Sequence, residues 1–246
     1  MQGTLGPQGA PFVFTDRREG VSTGPYSSLN LSLSTGDERA RVRHNRQLAI
    51  ARLDRAPQSW ISVNQVHGAE VVQVTAQASA HIEADALITQ DRGATLAVLV
   101  ADCVPIVMAD AHGTTVAAVH AGWRGTAARI AEAAAQSFIR VAGCAPQDLW
   151  AHVGPAIGPC CFVVDHPVAE ALQAAYPSAH EGWTPAGAGR VAIDLWALNL
   201  AALTDAGVPP GQVHISRRCT ACSPDHFSHR RDGAPSGRQA ALIGLP

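Results

Sequence analysis

The stretch LAVLVADCVPIVMADAHGTTVAAVHAGWRGTAARIAEAAAQSFIRVA, residues 96–142, decides the fold. It predicts two buried strands joined by a sharp turn at Asp102 and Cys103, then a third strand, a Gly-rich turn and a helix. The third strand brings His120 to the Gly-rich turn. A thiol and an imidazole therefore lie at the ends of strands that are otherwise apolar. Polar groups at such places need a reason beyond packing, so we expect both to have a function.

Short apolar runs along the rest of the chain predict further strands and helices. Strands are predicted at residues 11–15, 60–66, 70–74, 86–89, 149–153, 213–217 and 239–243, and within the first stretch at 96–100, 106–109 and 115–120. Helices are predicted at residues 37–53, with Asp37 as the cap, and at 126–141, 166–176 and 193–206, with loops at 178–189 and through most of 218–238. Since no repeat or linker divides the chain, we expect one domain, residues 1–246.

The composition is that of a globular protein with a sizeable core, at 246 residues, 47% hydrophobic and 15% charged. A net charge of −2 provides no field that would attract nucleic acid or an anionic membrane. All 18 basic residues are arginine, which excludes Schiff-base chemistry on lysine. No apolar run reaches the ~20 residues of a membrane span, and no signal peptide is evident. Six cysteines are too few for a disulfide scaffold, so we expect a cytoplasmic protein, and we expect it to be a monomer.

A second imidazole, His67, lies upstream in the segment NQVHGAEV, residues 64–71, in a similar setting at a strand edge. Together with Cys103 and His120 it completes a set of ligands that zinc prefers, and three protein ligands leave a fourth position open, as in catalytic sites. The alternative is that Cys103 is a small buried hydrophobe and that both histidines satisfy backbone carbonyls. Spacing alone does not decide between these interpretations.

The segment HAGWRGT, residues 120–126, opens the predicted helix. Its glycines allow backbone N–H groups to converge on an anion, and Arg124 could add a charge-assisted contact to phosphate. The alternative is that Gly122 and Gly125 only form a tight turn.

Two further segments carry reactive or charged groups. Cys219 and Cys222 form a C-x-x-C pair without a second pair at zinc-ribbon spacing, so we interpret them as two thiols in a loop. Of the adjacent Cys160 and Cys161, we expect one to belong to the core. The segment FSHRRDGAPSGRQA, residues 227–240, offers three arginines to a phosphate or ribose, unless it is a solvated loop: Arg230, Arg231 and Arg238.

These segments together resemble the YfiH/YlmD family. The resemblance rests on ADCVP at residues 101–105, HAGWRG at 120–125, NQVHG at 64–68, GPAIGPCC at 154–161 and RRDGAPSGR at 230–238, and it extends over nearly the whole chain. Members have been described as FAMIN-like purine nucleoside phosphorylases, laccase-type polyphenol oxidases and peptidoglycan editing factors. The resemblance implies an α+β fold, a single domain of layered mixed β-sheets covered by helices in an α/β/β/α-type sandwich.

The same resemblance implies a zinc site at His67, Cys103 and His120, with copper as a second possible metal. It implies phosphorolysis of adenosine, inosine, guanosine and methylthioadenosine, together with deamination of adenosine. Nucleosides and phosphate are then the partners, and nucleic acid and membranes are not. Substrate or phosphate contacts are expected from Arg17, Arg46, Arg124, Gly125 and Arg230. In the segment that contains Arg17, Glu19 replaces a glycine that is usual in the family.

Zinc would activate a water or polarise a substrate oxygen. We expect Arg46 and Arg124 to hold the phosphate. Deamination needs a carboxylate that moves protons, and Asp102 is the nearest candidate, although it could equally cap the turn. Three other functions remain possible: a cysteine hydrolase or amidase acting on peptidoglycan precursors with Cys103 as nucleophile, a copper-dependent polyphenol oxidase, and a binding module without activity.

Overall fold

Two β-sheets packed face to face form the centre of the molecule in the computed structural model, which describes residues 1–78, 81–179 and 182–246. The strands are β1 (Gln2–Leu5), β2 (Ala10–Phe14), β3 (Trp60–Ile61), β4 (Val71–Gln73), β5 (Ala86–Thr89), β6 (Thr95–Val100), β7 (Val104–Asp110), β8 (Val116–Ala121), β9 (Leu149–Val153), β10 (Val163–Val164), β11 (Trp183–Pro185), β12 (Val191–Ile193), β13 (Val213–Ile215) and β14 (Gln239–Gly244). The helices are α1 (Arg39–Ala51), α2 (Trp123–Ala127), α3 (Ile130–Ala142), α4 (His166–Ala175), α5 (Leu195–Asp205) and α6 (His229–Asp232).

Both large sheets are mixed. The first has five strands in the order β1-β2-β14-β6-β3, and the second has six in the order β13-β9-β7-β8-β5-β4. Most neighbours are antiparallel, and the pairs β3–β6, β4–β5 and β13–β9 are parallel. Strands β10, β12 and β11 form a small antiparallel sheet at the side.

Side chains along the central strands point alternately to the two faces of each sheet, so the core has three layers. In β14, Ala241 and Ile243 pack between the two sheets, whereas Leu242 faces α1. In β7, Ile106 packs against the side of the second sheet that the other helices cover. The order of layers is therefore helix, sheet, sheet and helices. This confirms the α+β class and the α/β/β/α sandwich.

Most predicted elements are present with shifted ends, and one helix is divided. The predicted helix at 126–141 is two helices, α2 and α3, because Arg129 between them has a left-handed backbone with φ of 59°. The Arg129 side chain binds Asp205 and the carbonyl of Ala175 and stacks on Tyr176. These partners are far away in sequence, so local periodicity did not indicate the break.

Asp37 does not cap α1, so that prediction was wrong. The helix begins after Glu38 without a side-chain cap, and Asp37 accepts hydrogen bonds from Ser22 and Asn30 instead. Five of the described elements were not predicted: β1, the short strands β10, β11 and β12, and α6 in the loop-rich tail. Strand β11 lies within the predicted loop at 178–189, of which residues 180–181 lie outside the described ranges. Within the described ranges, no helix has the length and apolar character needed to cross a bilayer.

Candidate metal centre and cavity

Cys103 is positioned where the chain crosses from the first sheet to the second. Strand β6 belongs to the first sheet and β7 to the second, so residues 101–103 make a sharp turn between them. Asp102 has a left-handed backbone with φ of 84° in this turn. Strand β7 then pairs with β8 so that Pro105 faces His120. The register therefore places the thiol beside the imidazole.

Asp85, which sequence reasoning missed, positions the two histidines. Its fully buried carboxylate lies 2.7 Å from Nδ1 of His120. It also accepts hydrogen bonds from the backbone N–H groups of Val66, His67 and Gly68, the last at 2.7 Å. The sequence did contain a signal for Asp85: it is a polar residue directly before a buried strand, as Cys103 is.

The three predicted ligands converge. The ligand atoms of His67, Cys103 and His120 lie within 4.8 Å of one another, with His67 exposed, Cys103 half-buried and His120 buried. The two imidazole rings meet edge to face, with their centroids 4.8 Å apart. These residues can therefore hold a metal ion.

The electrostatics of the cluster favour a thiolate. Burial alone would raise the pKa of Cys103, but the neighbouring His120 charge and hydrogen bonds from both imidazoles lower it. Burial likewise opposes the charge of His120, whereas Cys103 and Asp85 raise its pKa. Since zinc binds thiolate and neutral imidazole, the donor set fits a zinc ion, with Asp85 fixing Nδ1 of His120 so that Nε2 faces the cluster.

Gly122 makes room for this arrangement. A Cβ atom at this position would lie 3.1 Å from the sulfur of Cys103 and 3.1 Å from the ring of His67. A larger residue in the predicted turn would therefore press on two of the three candidate ligands.

A cavity of about 700 Å³ opens in front of the cluster, a volume typical of a small-molecule site. Its walls come from both sheets and from the C-terminal segment. Besides the three ligands, the lining includes Asn64, Gln65, Asp102, Trp123, Arg124, Phe162, His229, Arg230 and Arg238.

Two of the predicted substrate-binding arginines line this cavity. Arg124 is exposed, and its guanidinium lies 4.3 Å from the centroid of the Trp123 ring. Within the described residues it has no hydrogen-bonded or ionic partner, so it is available to an anion. Arg230 donates to the carbonyls of Cys161 and Val163 while it faces the cavity.

Asp102 joins the metal cluster to the C-terminal segment. One carboxylate oxygen accepts a hydrogen bond of 2.6 Å from the Thr220 hydroxyl, and the other accepts one of 2.7 Å from the backbone N–H of Arg230. The residue next to Cys103 therefore holds the start of α6 at the cavity wall.

Arg17, Arg46 and Gly125 are not among the cavity-lining residues in the described part of the chain. Arg46 stacks on Trp60 and donates to the carbonyl of Leu31, and burial lowers its pKa to about 10. Arg17 stacks on Phe227. Gly125 is buried in α2.

The C-x-x-C pair belongs to a larger group of cysteines than the sequence indicated. Cys219 and Cys222 are not an isolated pair of thiols, because Cys160 and Cys161 lie beside them. Cys160 is exposed, whereas Cys161 is half-buried and packs against the main core cluster, as expected of one of the two.

The fold and the ligand set define a class of layered α+β protein with two histidines and one cysteine gathered at an open cavity. The chain belongs to the family described as multi-copper polyphenol oxidoreductase laccase, whose model matches residues 11–246, and its relatives include the YlmD and YfiH proteins.

Curated relatives of similar length carry phosphorylase names. The chain is 38% identical to "Purine nucleoside phosphorylase YlmD" of Geobacillus stearothermophilus, over 96% of this chain and 90% of that protein. It is 36% identical to "Purine nucleoside phosphorylase YfiH" of Escherichia coli, over 97% and 95%. The crystal structure of the Geobacillus stearothermophilus YlmD superposes with a TM-score of 0.89, covering 96% of this chain and 91% of that one.

Proposed function

We propose that this protein is a zinc-dependent purine nucleoside phosphorylase, acting on adenosine, inosine, guanosine and methylthioadenosine, that also deaminates adenosine. The observation that carries the proposal is the convergence of His67, Cys103 and His120 at a cavity large enough for a nucleoside and phosphate. The phosphorylase names of relatives at 36–38% identity support the choice of substrate.

Phosphorolysis requires phosphate to attack the anomeric carbon while the bond from that carbon to the purine nitrogen breaks. The guanidinium of Arg124, at the cavity mouth beside Trp123, would bind the phosphate and orient it. Arg230 and Arg238 contribute positive charge from the opposite segment. Their own hydrogen bonds to backbone carbonyls keep them in place while charge develops on the substrate.

We propose a supporting role at the cavity wall for the three residues that do not line it: Arg17, Arg46 and Gly125. Arg46 fixes the carbonyl of Leu31, and the next residue, Ser32, lines the cavity. When bound, zinc would act as a Lewis acid toward a substrate oxygen or a water. We retain Asp102 as the candidate proton carrier for deamination. Each of its oxygens accepts one hydrogen bond, from Thr220 or from the backbone of Arg230, and keeps a second lone pair that could take up a proton.

A cysteine hydrolase or amidase acting on peptidoglycan precursors is the second candidate, and one observation favours it. His120 lies between Cys103 and Asp85, which is the order of a nucleophile, a base and an orienting carboxylate. Iodoacetamide distinguishes the two functions. If zinc protects Cys103 from alkylation, the thiolate is a ligand, whereas trapping of an acyl group on Cys103 would establish the hydrolase.

The test of the phosphorylase uses Cys103→Ala, with Cys144→Ala as the matched control because Cys144 lies outside the cluster. We expect Cys103→Ala to lose the zinc held by His67, Cys103 and His120 and to reduce phosphate-dependent release of hypoxanthine from inosine by about a hundredfold or more. Cys144→Ala should retain both. Unchanged turnover of Cys103→Ala would remove the metal from the mechanism.

The role of Arg124 is tested separately with Arg124→Gln. We expect the KM for phosphate to rise by roughly tenfold while the KM for inosine changes little. Metal analysis of the purified protein tests zinc against copper, the metal in the description of the family.

A further inference from the structure

A second cluster of metal-ligating side chains lies outside the proposed active site. Cys160 and Cys161 follow β9, and Cys219 and Cys222 follow β13. Strands β9 and β13 are parallel neighbours, so the loops at their carboxyl ends meet at the same edge of the sheet. All four sulfur atoms lie within 4.8 Å of one another.

The spacing of the sulfur atoms suits a tetrahedral ion. The Cys222 sulfur lies 3.6 Å from that of Cys160 and 3.4 Å from that of Cys161. Four thiolates that each bind zinc at about 2.3 Å have neighbouring sulfur atoms about 3.8 Å apart. A single disulfide would use only two of these thiols and would leave the convergence of the other two without a reason.

The backbone around the cluster is organised to support a thiolate. The N–H of Gly158 donates to the sulfur of Cys219 at 3.2 Å. Ala156 and Cys219 form a parallel bridge between the two loops. A Cβ at Gly158 would lie 3.1 Å from the ring of Trp196 and 3.3 Å from Cβ of Cys219, so the glycine permits this approach.

Arg230, and Arg231, which also pairs with Asp232, hydrogen-bond to the two loops and bring positive charge near the cluster. Four thiolates around a divalent cation leave a net negative charge. Arg231 donates to the carbonyls of Thr220, Ala221 and Ser223, which surround Cys222. Arg230 donates to the carbonyl of Cys161 from the other side.

We propose that Cys160, Cys161, Cys219 and Cys222 form a second, structural metal site that binds a zinc ion. The ion ties the loop after β9 to the loop after β13. Thr220, inside the second loop, and Arg230 both hydrogen-bond to the carboxylate of Asp102, next to Cys103. The structural ion thus stabilises one wall of the cavity without contacting substrate.

The test measures zinc in protein purified under reducing, oxygen-free conditions. We expect the wild-type chain to bind two zinc ions, one for each cluster. Cys103→Ala and the double variant Cys160→Ser/Cys222→Ser should each bind one. Cys144→Ser, which changes a cysteine outside both clusters, should bind two. Equal zinc content in the wild-type chain and the double variant would overturn the proposal.

Cobalt provides a second measurement that leaves the four cysteines unchanged. In Cys103→Ala protein loaded with Co²⁺, we expect the intense absorption of tetrahedral cobalt bound to four thiolates. Absence of that absorption, or a disulfide between any two of the four cysteines in the reduced preparation, would contradict the proposed site. Because this measurement is made without the first cluster, it remains informative even if the phosphorylase function is wrong.

Discussion

At the scale of single residues, Asp85 organises the candidate metal centre. Its carboxylate connects the ring of His120 to the backbone of the loop that carries His67, so two ligands from distant parts of the chain are positioned by one side chain. Burial would raise its pKa, but hydrogen bonds from His120 and from the backbone of Gly68 and His67 lower it. The residue therefore remains an anion that can stabilise the metal-bound histidine.

Asp85→Asn is expected to weaken zinc binding by roughly 10–100-fold, because the amide cannot both accept the bonds of the loop and fix the proton on His120. Competition with a fluorescent chelator measures this affinity. The control is Asp91→Asn, since Asp91 also accepts backbone N–H groups, those of Ala76 and Gly93, but at the other end of β5. Equal affinity in both variants would show that Asp85 only stabilises the loop.

That His67, Cys103 and His120 lie together could be predicted from the sequence, because each is a polar residue in an apolar or Gly-containing context and because the family resemblance groups them. The arginines could not be placed in the same way. Arg124 and Arg46 both follow recognisable motifs, yet only Arg124 lines the cavity, and Arg46 stacks on Trp60 behind it. Side-chain direction depends on tertiary neighbours, and sequence spacing does not contain that information.

At the scale of elements, the short helix α2 locks the loop that bears His67. Gly125 lies so close to this loop that a Cβ would be 2.9 Å from the carbonyl oxygen of Gly68 and 3.3 Å from the side chain of Ile130. The nearest atom belongs to the backbone, which cannot move aside like a flexible side chain. Gly125 is therefore needed for the close approach of α2 to the His67 loop. This agrees with the alternative interpretation from the sequence, in which the glycine serves close packing at a tight turn.

Gly125→Ala should therefore displace the His67 loop. We expect a loss of stability of about 1–3 kcal/mol, typical of overpacking, together with weaker metal binding. Urea unfolding in the presence of chelator measures the first effect, and chelator competition the second. Gly211→Ala is the control because a Cβ there meets nothing within 4 Å. A stable Gly125→Ala protein with normal metal affinity would contradict this account.

The buried strands could be predicted from the sequence because most of their residues are apolar on both faces. Strand ends and breaks could not. Residues 60–66 and 70–74 were predicted as strands, but the strands are Trp60–Ile61 and Val71–Gln73. Between them Asn64 forms an isolated bridge with Glu83, and the N–H groups of residues 66–68 donate to Asp85 instead of to a neighbouring strand. Such competition comes from a residue that is distant in sequence and becomes visible only in the folded chain.

At the scale of the whole molecule, the ionisable ring of His152 lies where the two sheets contact each other. His152 on β9 packs against Phe12 and Phe14 of the first sheet, with ring centroids 5.0 and 5.1 Å away. Burial, and after it the nearby His214 and the N-terminal amine, lower the pKa of His152 to about 4. The interface between the sheets therefore requires a neutral imidazole.

Because the imidazole of His152 must be neutral in the folded protein, we expect the free energy of unfolding to decrease in acid. The pKa of His152 is about 4 in the folded protein, and it is about 6.5 in an unfolded chain. The unfolded chain therefore binds the proton more readily between these values, so stability is complete above about pH 6.5 and falls as the pH approaches 4. His226 acts in the same direction, because burial also lowers its pKa to about 4.

In His152→Phe the decrease in Tm between pH 6.5 and 4 should be smaller than in the wild-type protein by roughly 6–12 °C, because the difference between the two pKa values corresponds to about 3 kcal/mol at pH 4. Differential scanning calorimetry at several pH values measures it. His112→Phe, at an exposed histidine, should leave the slope unchanged. Parallel slopes for wild type and His152→Phe would contradict the role of this ring.

The position of β14 has a consequence for biosynthesis. Residues 239–244 pair with β2 on one side and with β6 on the other, in the interior of the first sheet. A ribosome that has made the first two hundred or so residues has therefore produced two strands with a gap between them. Their facing edges remain unpaired until residue 244 has left the exit tunnel, so closure of this sheet waits for β14. A nascent chain in that state is a natural client for a holding chaperone.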